Sequence, residues 1–244
     1  MPQDPANSIT EVRWFASLDS TNRYLLDEAR RGAAEWLVAV ADFQTQGRGR
    51  RGRSWIAPSG ASLLASVLLR PTLPPERLQL VSLVSGIAMA EAVQRVAGFR
   101  PALKWPNDLV VGDRKLAGLL AESDGDAVVV GTGVNVEWHD FPPELAATAT
   151  ACNLEAGRSI DRRDLLSAYL TELQQRYPKM EVVIDDYRGL LATLGRRVRV
   201  ECHEGDLVGR AVDVGDGGEL VVAVDGQGLV TVHAGDVVHL RNAN

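Results

Sequence analysis

Gly47-Arg48-Gly49-Arg50-Arg51-Gly52-Arg53 is the stretch on which the reading of this 244-residue chain turns, with Gln44 before it and Trp55 after it. Glycine reaches backbone conformations that other residues avoid, so a Gly-x-Gly-x-x-Gly segment is able to fold its N–H groups inward around an anion. Guanidinium groups stay charged and offer forked donors that suit phosphate or carboxylate oxygens. The segment follows an apolar run, Trp36-Leu37-Val38-Ala39-Val40-Ala41, and leads to Trp55, whose ring is large enough to cover a flat ligand. Taken alone, it reads as a loop that holds something negative.

Plainer readings compete for the same residues. A dinucleotide-binding Gly-x-Gly-x-x-Gly opens a helix and has an acidic residue downstream; here Ser54, Trp55 and then Pro58-Ser59-Gly60 follow, which argues against a helix. An Arg/Gly run also serves nucleic-acid-binding segments, or is a solvated flexible loop. The stretch by itself leaves a small anionic ligand and both charge-run readings open.

Bulk properties narrow the choice. At 45% hydrophobic residues the chain has enough apolar material for one good core and a small second domain. The net charge is −6, whereas a protein that grips nucleic acid over a broad surface is more often basic. The arginine loop is thus a local positive feature on an acidic chain, which favours a focused site. Cys152 and Cys202 fit no metal-ligand or redox spacing and read as free thiols of a reducing compartment. No apolar stretch follows a basic start, and no run is read as approaching membrane-spanning length. The expectation is a soluble, cytoplasmic protein with no membrane partner.

Outward from the loop, the pattern predicts alternating elements. The first ten residues, polar and with two prolines, are expected to lie loose. Residues 12–15 read as a short strand. Asp19-Ser20-Thr21-Asn22 supplies N-cap residue types for a helix that Gly32 stops, so capping is the plain reading of Ser20 and Thr21. Residues 36–42 and 61–69 read as buried strands. Residues 76–97 form the clearest helix, apolar nearly all round and closed by Gly98, and should pack across a sheet. Strands at 107–111, 115–122 and 127–136 follow, turned at Gly112-Asp113 and at Asp124-Gly125-Asp126. Helices at about 162–177 and 182–193 come next. The texture then changes at Gly195 to five short alternating segments, residues 197–201, 207–213, 219–224, 229–233 and 237–240, which read as a small β-barrel. From Leu194 onward there are five arginines against eight carboxylates, so this barrel reads as a docking or closing module rather than a nucleic-acid binder.

Two further stretches carry chemistry. In Lys104-Trp105-Pro106-Asn107-Asp108 the proline holds Trp105 extended at the entry to a strand. In Arg114-Lys115-Leu116-Ala117-Gly118, alternation puts Lys115 on the face of Ala117 and Leu119, where a lysine is costly unless it meets an anion or snorkels out at the strand end. In Gly131-Thr132-Gly133-Val134-Asn135, alternate glycines bare one strand face for a ligand, or simply make room for a helix.

Together these stretches resemble the biotin protein ligases. Ser20-Thr21-Asn22, Gln44 with Gly47 through Trp55, Lys104 through Leu109, Arg114 through Gly118 and Gly131 through Asn135 match that family in order and spacing, over nearly the whole chain. The resemblance implies an α+β fold: a mixed sheet with flanking helices, like the class II aminoacyl-tRNA synthetase-like catalytic domain of biotin ligases (residues 1–193), followed by a small SH3-like β-barrel (194–244). Some family members begin with a helix-turn-helix and repress the biotin operon; with about ten residues before the first strand, this chain is expected to be the form that is only a ligase and binds no DNA.

The chemistry implied is ATP-dependent. Biotin and ATP, with magnesium, give biotinyl-5′-AMP and pyrophosphate, and a lysine of a biotin carboxyl carrier protein then takes the biotin as an amide. The resemblance places Lys115 and Arg50 as catalytic groups. It places biotin among Ser20, Thr21, Asn22, Gln44, Gly47, Arg48, Gly49, Arg50, Lys115, Gly118 and Gly133. The nucleotide falls to Arg48, Arg50, Arg53, Trp55, Lys104, Asn107, Lys115 and Asn135, with magnesium on the ATP phosphates and no protein ligand assigned. The physical logic is consistent: two anions must meet, so cations offset their repulsion and stabilise charge at phosphorus, while Ser20, Thr21 and Gln44 satisfy the ureido ring. The glycine-rich loop should be mobile when empty and closed over the adenylate. A monomer or weak homodimer is expected. The rivals are a lipoate–protein ligase, whose lipoyl substrate has no ureido group for Ser20, Thr21 and Gln44 to satisfy, and, in a different class, a non-enzymatic nucleic-acid binder.

Overall fold

The computed structural model describes residue 9, residues 11–202 and residues 205–240. Of the N-terminal stretch expected to lie loose, Ile9 packs partly buried against the core, and residues 1–8 and 10 lie outside the described residues.

A seven-stranded mixed sheet is the frame. Its strands are β1 (Glu11–Phe15), β2 (Leu37–Ala41), β3 (Ser62–Leu69), β4 (Ala102–Lys104), β5 (Asp108–Val111), β6 (Arg114–Asp124) and β7 (Ala127–Asn135), in the order β1-β2-β3-β7-β6-β5-β4. Only β1 and β2 run parallel. All eight residues of β3 are buried because helices cover both faces of the sheet. Leu63, Ala65, Val67 and Leu69 point into the main core, while Leu68 and Ser66 point to the opposite side.

The helices follow from that division. On one face α1 (Thr21–Arg30) packs on β2, β3 and β7 through Leu25, over a small cluster with Leu37, Ala39, Leu68 and Val129. On the other, α2 (Gln79–Ala97) crosses β4 to β7 and packs against α5 (Arg162–Arg176) and α6 (Val183–Leu190). Gly98 closes α2 at φ 85°, the left-handed conformation that glycine adopts without strain. The helix begins at Gln79 rather than residue 76, because Pro75–Arg77 forms a separate 3-10 turn. The short elements β4, α3 (Pro143–Ala146) and α4 (Cys152–Ala156) have no counterpart in the sequence pattern, because three to five residues span too few periods to show a repeat. The membrane reading also needs correction: Pro75–Ala97 is long and apolar enough to cross a bilayer by composition, with a mean hydropathy of 1.4. Most of it is buried between the sheet and α5, so its apolar surface is spent inside the fold.

Five strands follow: β8 (Arg197–Cys202), β9 (Gly205–Val214), β10 (Leu220–Val224), β11 (Gly228–Val232) and β12 (Asp236–His239). They form an antiparallel sheet in the order β11-β10-β9-β8-β12, so the expected five segments are all present and β12 returns beside β8. This C-terminal part docks tightly. The Trp105 indole N–H donates to Gly218 O at 2.9 Å, Gln79 Nε2 donates to the same carbonyl at 3.0 Å, and the Trp105 amide donates to Thr193 Oγ1 at 3.1 Å.

Candidate active site

The arginine stretch is an ordered loop. Its base closes as a narrow ladder: the Trp55 amide donates to Gly47 O at 2.9 Å and the Gly49 amide to Arg53 O at 2.7 Å. A Cβ on Gly47 would run into the Trp55 carbonyl oxygen, so this glycine serves the close approach of the two arms. At the tip Arg51 and Gly52 take left-handed φ values of 53° and 74°. The tip lies on the C-terminal sheet: Arg50 Nη1 donates to Gly235 O at 3.2 Å and Arg51 Nη1 to Glu201 O at 2.7 Å. Asp236 faces three guanidiniums, with Arg53 at 2.8 Å, Arg50 at 3.7 Å and Arg51 at 3.9 Å.

Below the loop lies a pocket on the α1 side of the sheet. Its floor is the glycine face of β6 and β7, where Gly118 and Gly133 sit opposite each other in register. The Trp55 ring rests on this bare backbone; a Cβ on Gly133 would come within 2.5 Å of the indole. The Trp55 indole N–H is buried and lacks a hydrogen-bond partner among the described residues, a donor left for something that enters the pocket. One end is built from Ser20, Thr21 and Asn22 at the start of α1. Thr21 donates to Gln44 Oε1 from its amide at 2.7 Å and from its hydroxyl at 3.1 Å, and Ser66 Oγ lies 2.7 Å from both Thr21 Oγ1 and Asn22 Oδ1. No side chain caps α1, so these residues have work other than capping.

Cations gather at the other end. Lys115 Nζ lies 2.6 Å from Asp108 Oδ1 and 5.6 Å from the Trp55 ring centroid. Burial lowers the pKa of Lys104, with Lys115 adding repulsion, and burial likewise lowers that of Arg50. Both therefore hold positive charge at some expense, which an incoming anion would relieve. Arg48 pairs with Glu122 at 3.0 Å. Lys115 does not share the face of Ala117 and Leu119, as simple alternation predicts. A bulge shifts the β5–β6 register between Leu109 and Val110, and the Lys115 amine ends beside Gly118, over the pocket.

The other expected site residues are placed unevenly. Ser20, Thr21, Asn22, Gln44, Arg48, Gly49, Arg50, Arg53, Trp55, Lys104, Asn107, Lys115, Gly118 and Gly133 line the pocket, while Gly47 stands behind it in the loop base. The Asn22 amide is committed to Leu120 O and Glu122, so it anchors α1 to β6. Asn107 holds Leu119 O, and its Oδ1 lies 3.4 Å from Arg50 Nη1. Asn135 lies outside this pocket, bonded to Thr150 O at 3.0 Å, and lines an adjoining, more apolar cavity with Trp55, Lys104, Asp108, Lys115, Trp138 and Phe141. Ser66 and Asp236 escaped sequence reasoning. Ser66 left a faint signal, a hydroxyl in step with Ser62 inside an apolar strand; Asp236 left none, because its arginines are far away in sequence. Among the described residues no group of three or more His, Cys, Asp or Glu side chains comes together as a metal site.

Fold and pocket together define a cation-rich site over a glycine-bared sheet, and comparison with known proteins gives the class to which it belongs. Residues 14–136 match the Biotin/lipoate A/B protein ligase family, and residues 193–240 match the Biotin protein ligase C terminal domain. The chain is 40% identical to the biotin–[acetyl-CoA-carboxylase] ligase of Mycobacterium tuberculosis, over 93% of this chain and 88% of that one. It is 33% identical to the bifunctional ligase/repressor BirA of Escherichia coli, over 93% of this chain and 73% of that protein. The biotin protein ligase of Aquifex aeolicus, solved in complex with biotin and ATP, superposes with a TM-score of 0.84 at 27% identity, covering 96% of this chain and 100% of that one. The chain belongs to the biotin/lipoate A/B protein ligase family.

Proposed function

We propose that this chain activates biotin with ATP to biotinyl-5′-AMP and passes the biotin to one lysine of a biotin carboxyl carrier protein. The observation that carries the reading is the pocket itself, which joins a neutral hydrogen-bonding end to a cationic end across a bare glycine floor. Ser20, Thr21 and Gln44 would meet the ureido group, whose donors and acceptors otherwise go unpaired. The valeryl chain would run along Gly118 and Gly133 toward Lys115. That lysine would bridge the biotin carboxylate and the α-phosphate, where charge grows only as the oxygen attacks phosphorus. Arg48, Arg50, Arg53 and Lys104 would offset the repulsion between two anions, the role that cation clamps play in phosphoryl chemistry generally.

Trp55 and the adjoining cavity around Trp138, Phe141 and Asn135 would take the nucleoside, with Asn107 at its edge. The carboxylate is already ionised, so activation needs no general base. Magnesium would arrive as MgATP; the residues present suit an ion carried on the triphosphate, which commonly keeps waters and few protein ligands. The acidic C-terminal sheet would hold the arginine loop over the adenylate and help seat the carrier. The setting would be the cytoplasm and the acting form a monomer or weak homodimer.

The test incubates the protein with MgATP and either biotin or lipoate, and reads bound acyl-adenylate by mass spectrometry. Biotinyl-AMP alone is the expected product. Lipoyl-AMP formed equally well would overturn the biotin assignment.

A further inference from the structure

The pocket is lined by two carboxylates, and they differ in the company they keep. Asp236 faces Arg50, Arg51 and Arg53 and holds the loop. Asp108 stands where β5 enters the pocket, opposite Gly118 on one side and Lys104 on the other. Its Oδ1 meets Lys115 Nζ at 2.6 Å, and it lines both the pocket and the adjoining cavity. It is therefore a carboxylate at the junction of two compartments, held by a lysine whose proposed work is elsewhere. An acyl phosphate that draws the Lys115 amine would leave that oxygen of Asp108 without its partner, inside the pocket.

The second half-reaction is accelerated by such a group. A lysine amine that bonds to a carbonyl carbon becomes positively charged and must shed a proton before the adduct collapses forward. His239, in the field of Lys104, does not offer a free nitrogen: its Nδ1 lies 3.2 Å from Arg196 Nη1 and its Nε2 3.2 Å from Thr193 Oγ1.

We propose that Asp108 is the general base of the transfer step, a reading that rests on the biotin-ligase function above. The unprotonated lysine of the carrier attacks the acyl carbon of biotinyl-AMP, forming the C–N bond and sending the carbonyl pair to oxygen. An oxygen of Asp108 takes one proton from the new C–NH2+ nitrogen. The oxygen pair returns, the C–O bond to phosphate breaks, and AMP leaves with that electron pair. Asp108 then releases the proton to water. Lys115 and Asp108 thus divide the two half-reactions, the amine serving activation and the carboxylate serving transfer.

The experiment uses the full chain and pre-formed biotinyl-AMP, with two acceptors. One is a carrier domain; the other is hydroxylamine, a small nucleophile that is unprotonated at neutral pH and less dependent on a base. For Asp108→Asn the expected result is carrier biotinylation slowed about 100-fold, the scale of one general base, with hydroxamate formation slowed far less. Asp108→Glu, which keeps a carboxylate, should recover part of the carrier transfer. Equal losses with both acceptors would overturn the proposal in favour of a positioning role toward Lys115, and undiminished carrier transfer would overturn it outright. Failure of the wild-type chain to form biotinyl-AMP would count against the functional reading instead.

Discussion

Asp236 on the last strand and Arg53 in the glycine-arginine loop meet at 2.8 Å across the join between the two parts of the chain. Three guanidiniums converge on that one carboxylate, whose side chain is only 13% exposed. The lid over the pocket is therefore held from the C-terminal sheet, and phosphate entering below would compete for the same arginines.

Asp236→Ala should loosen the lid without removing a group from the pocket floor. Loss of a carboxylate that ion-pairs with three guanidiniums is expected to weaken the tether by about 1.4 kcal/mol, enough for roughly tenfold more opening. Trypsin should cut the ligand-free variant between Gly47 and Arg53 about tenfold faster than wild type. Adenylate that escapes acylates any exposed lysine, so serum albumin mixed with the variant, biotin and MgATP should become biotinylated. Labelling confined to the carrier would show that the lid does not depend on Asp236.

Lys115→Ala should leave the fold intact and adenylate formation crippled. The amine is half-exposed over the glycine floor, so no buried apolar contact is lost. Removal of a donor aimed at developing charge usually lowers a rate by about 10²–10³. Pyrophosphate release should fall by that factor while biotin binding, followed by calorimetry, weakens far less. A near wild-type rate would refute the assigned role.

Gly133→Ala places a methyl group within 2.5 Å of the Trp55 indole. The ring has to lift off the floor, into space assigned to the nucleotide. Overpacking of this kind costs about 1–3 kcal/mol. The expected signature is a changed Trp fluorescence together with a raised KM for ATP and a smaller change for biotin. Unchanged ATP kinetics would mean that the floor does not set the ring position.

Acid should weaken the join. Burial chiefly, and then the charges of Lys104 and Arg196, hold the His239 imidazole down at about 4. In the unfolded chain a histidine takes up its proton near 6.5. Between those values the unfolded state binds more protons, so the stability contributed by the neutral ring is complete above about pH 6.5 and is lost as pH falls toward 4. Urea midpoints at pH 7.5 and pH 5 should differ more for wild type than for His239→Gln. Equal differences would place the acid sensitivity elsewhere.

Truncation after Thr193 should cost more than transfer activity. It strips Gly218 from the Trp105 indole N–H and removes Asp236 and the Gly235 carbonyl from the loop. The indole N–H is then left to water, and the apolar surface beneath the C-terminal sheet loses its cover. A lower thermal midpoint is expected, with residual biotin binding and little carrier labelling. A truncated chain as stable and active as the whole would show the C-terminal sheet to be dispensable.

By itself the sequence determined the longer elements and the residue types gathered in the motifs. Near-continuous apolar runs marked β2 and β3, the all-round apolar helix ended at Gly98, and the five alternating segments after Gly195 became β8 to β12, because local periodicity and glycine stops are properties of neighbouring residues. The motifs with unusual residue types, Gly47 to Arg53 and Gly131 to Gly133, were legible for the same reason. Tertiary structure decided the relationships between distant segments. The bulge at Leu109 and Val110 turns the Lys115 amine to the glycine face, against simple alternation, since pairing with β5 rather than the strand's own period sets its direction. Asp236 serves the arginine loop, Gly218 serves Trp105, and Asp108 meets Lys115 only because strands from different parts of the chain are brought side by side, and a side chain's partner across such a gap leaves no periodic trace in the sequence.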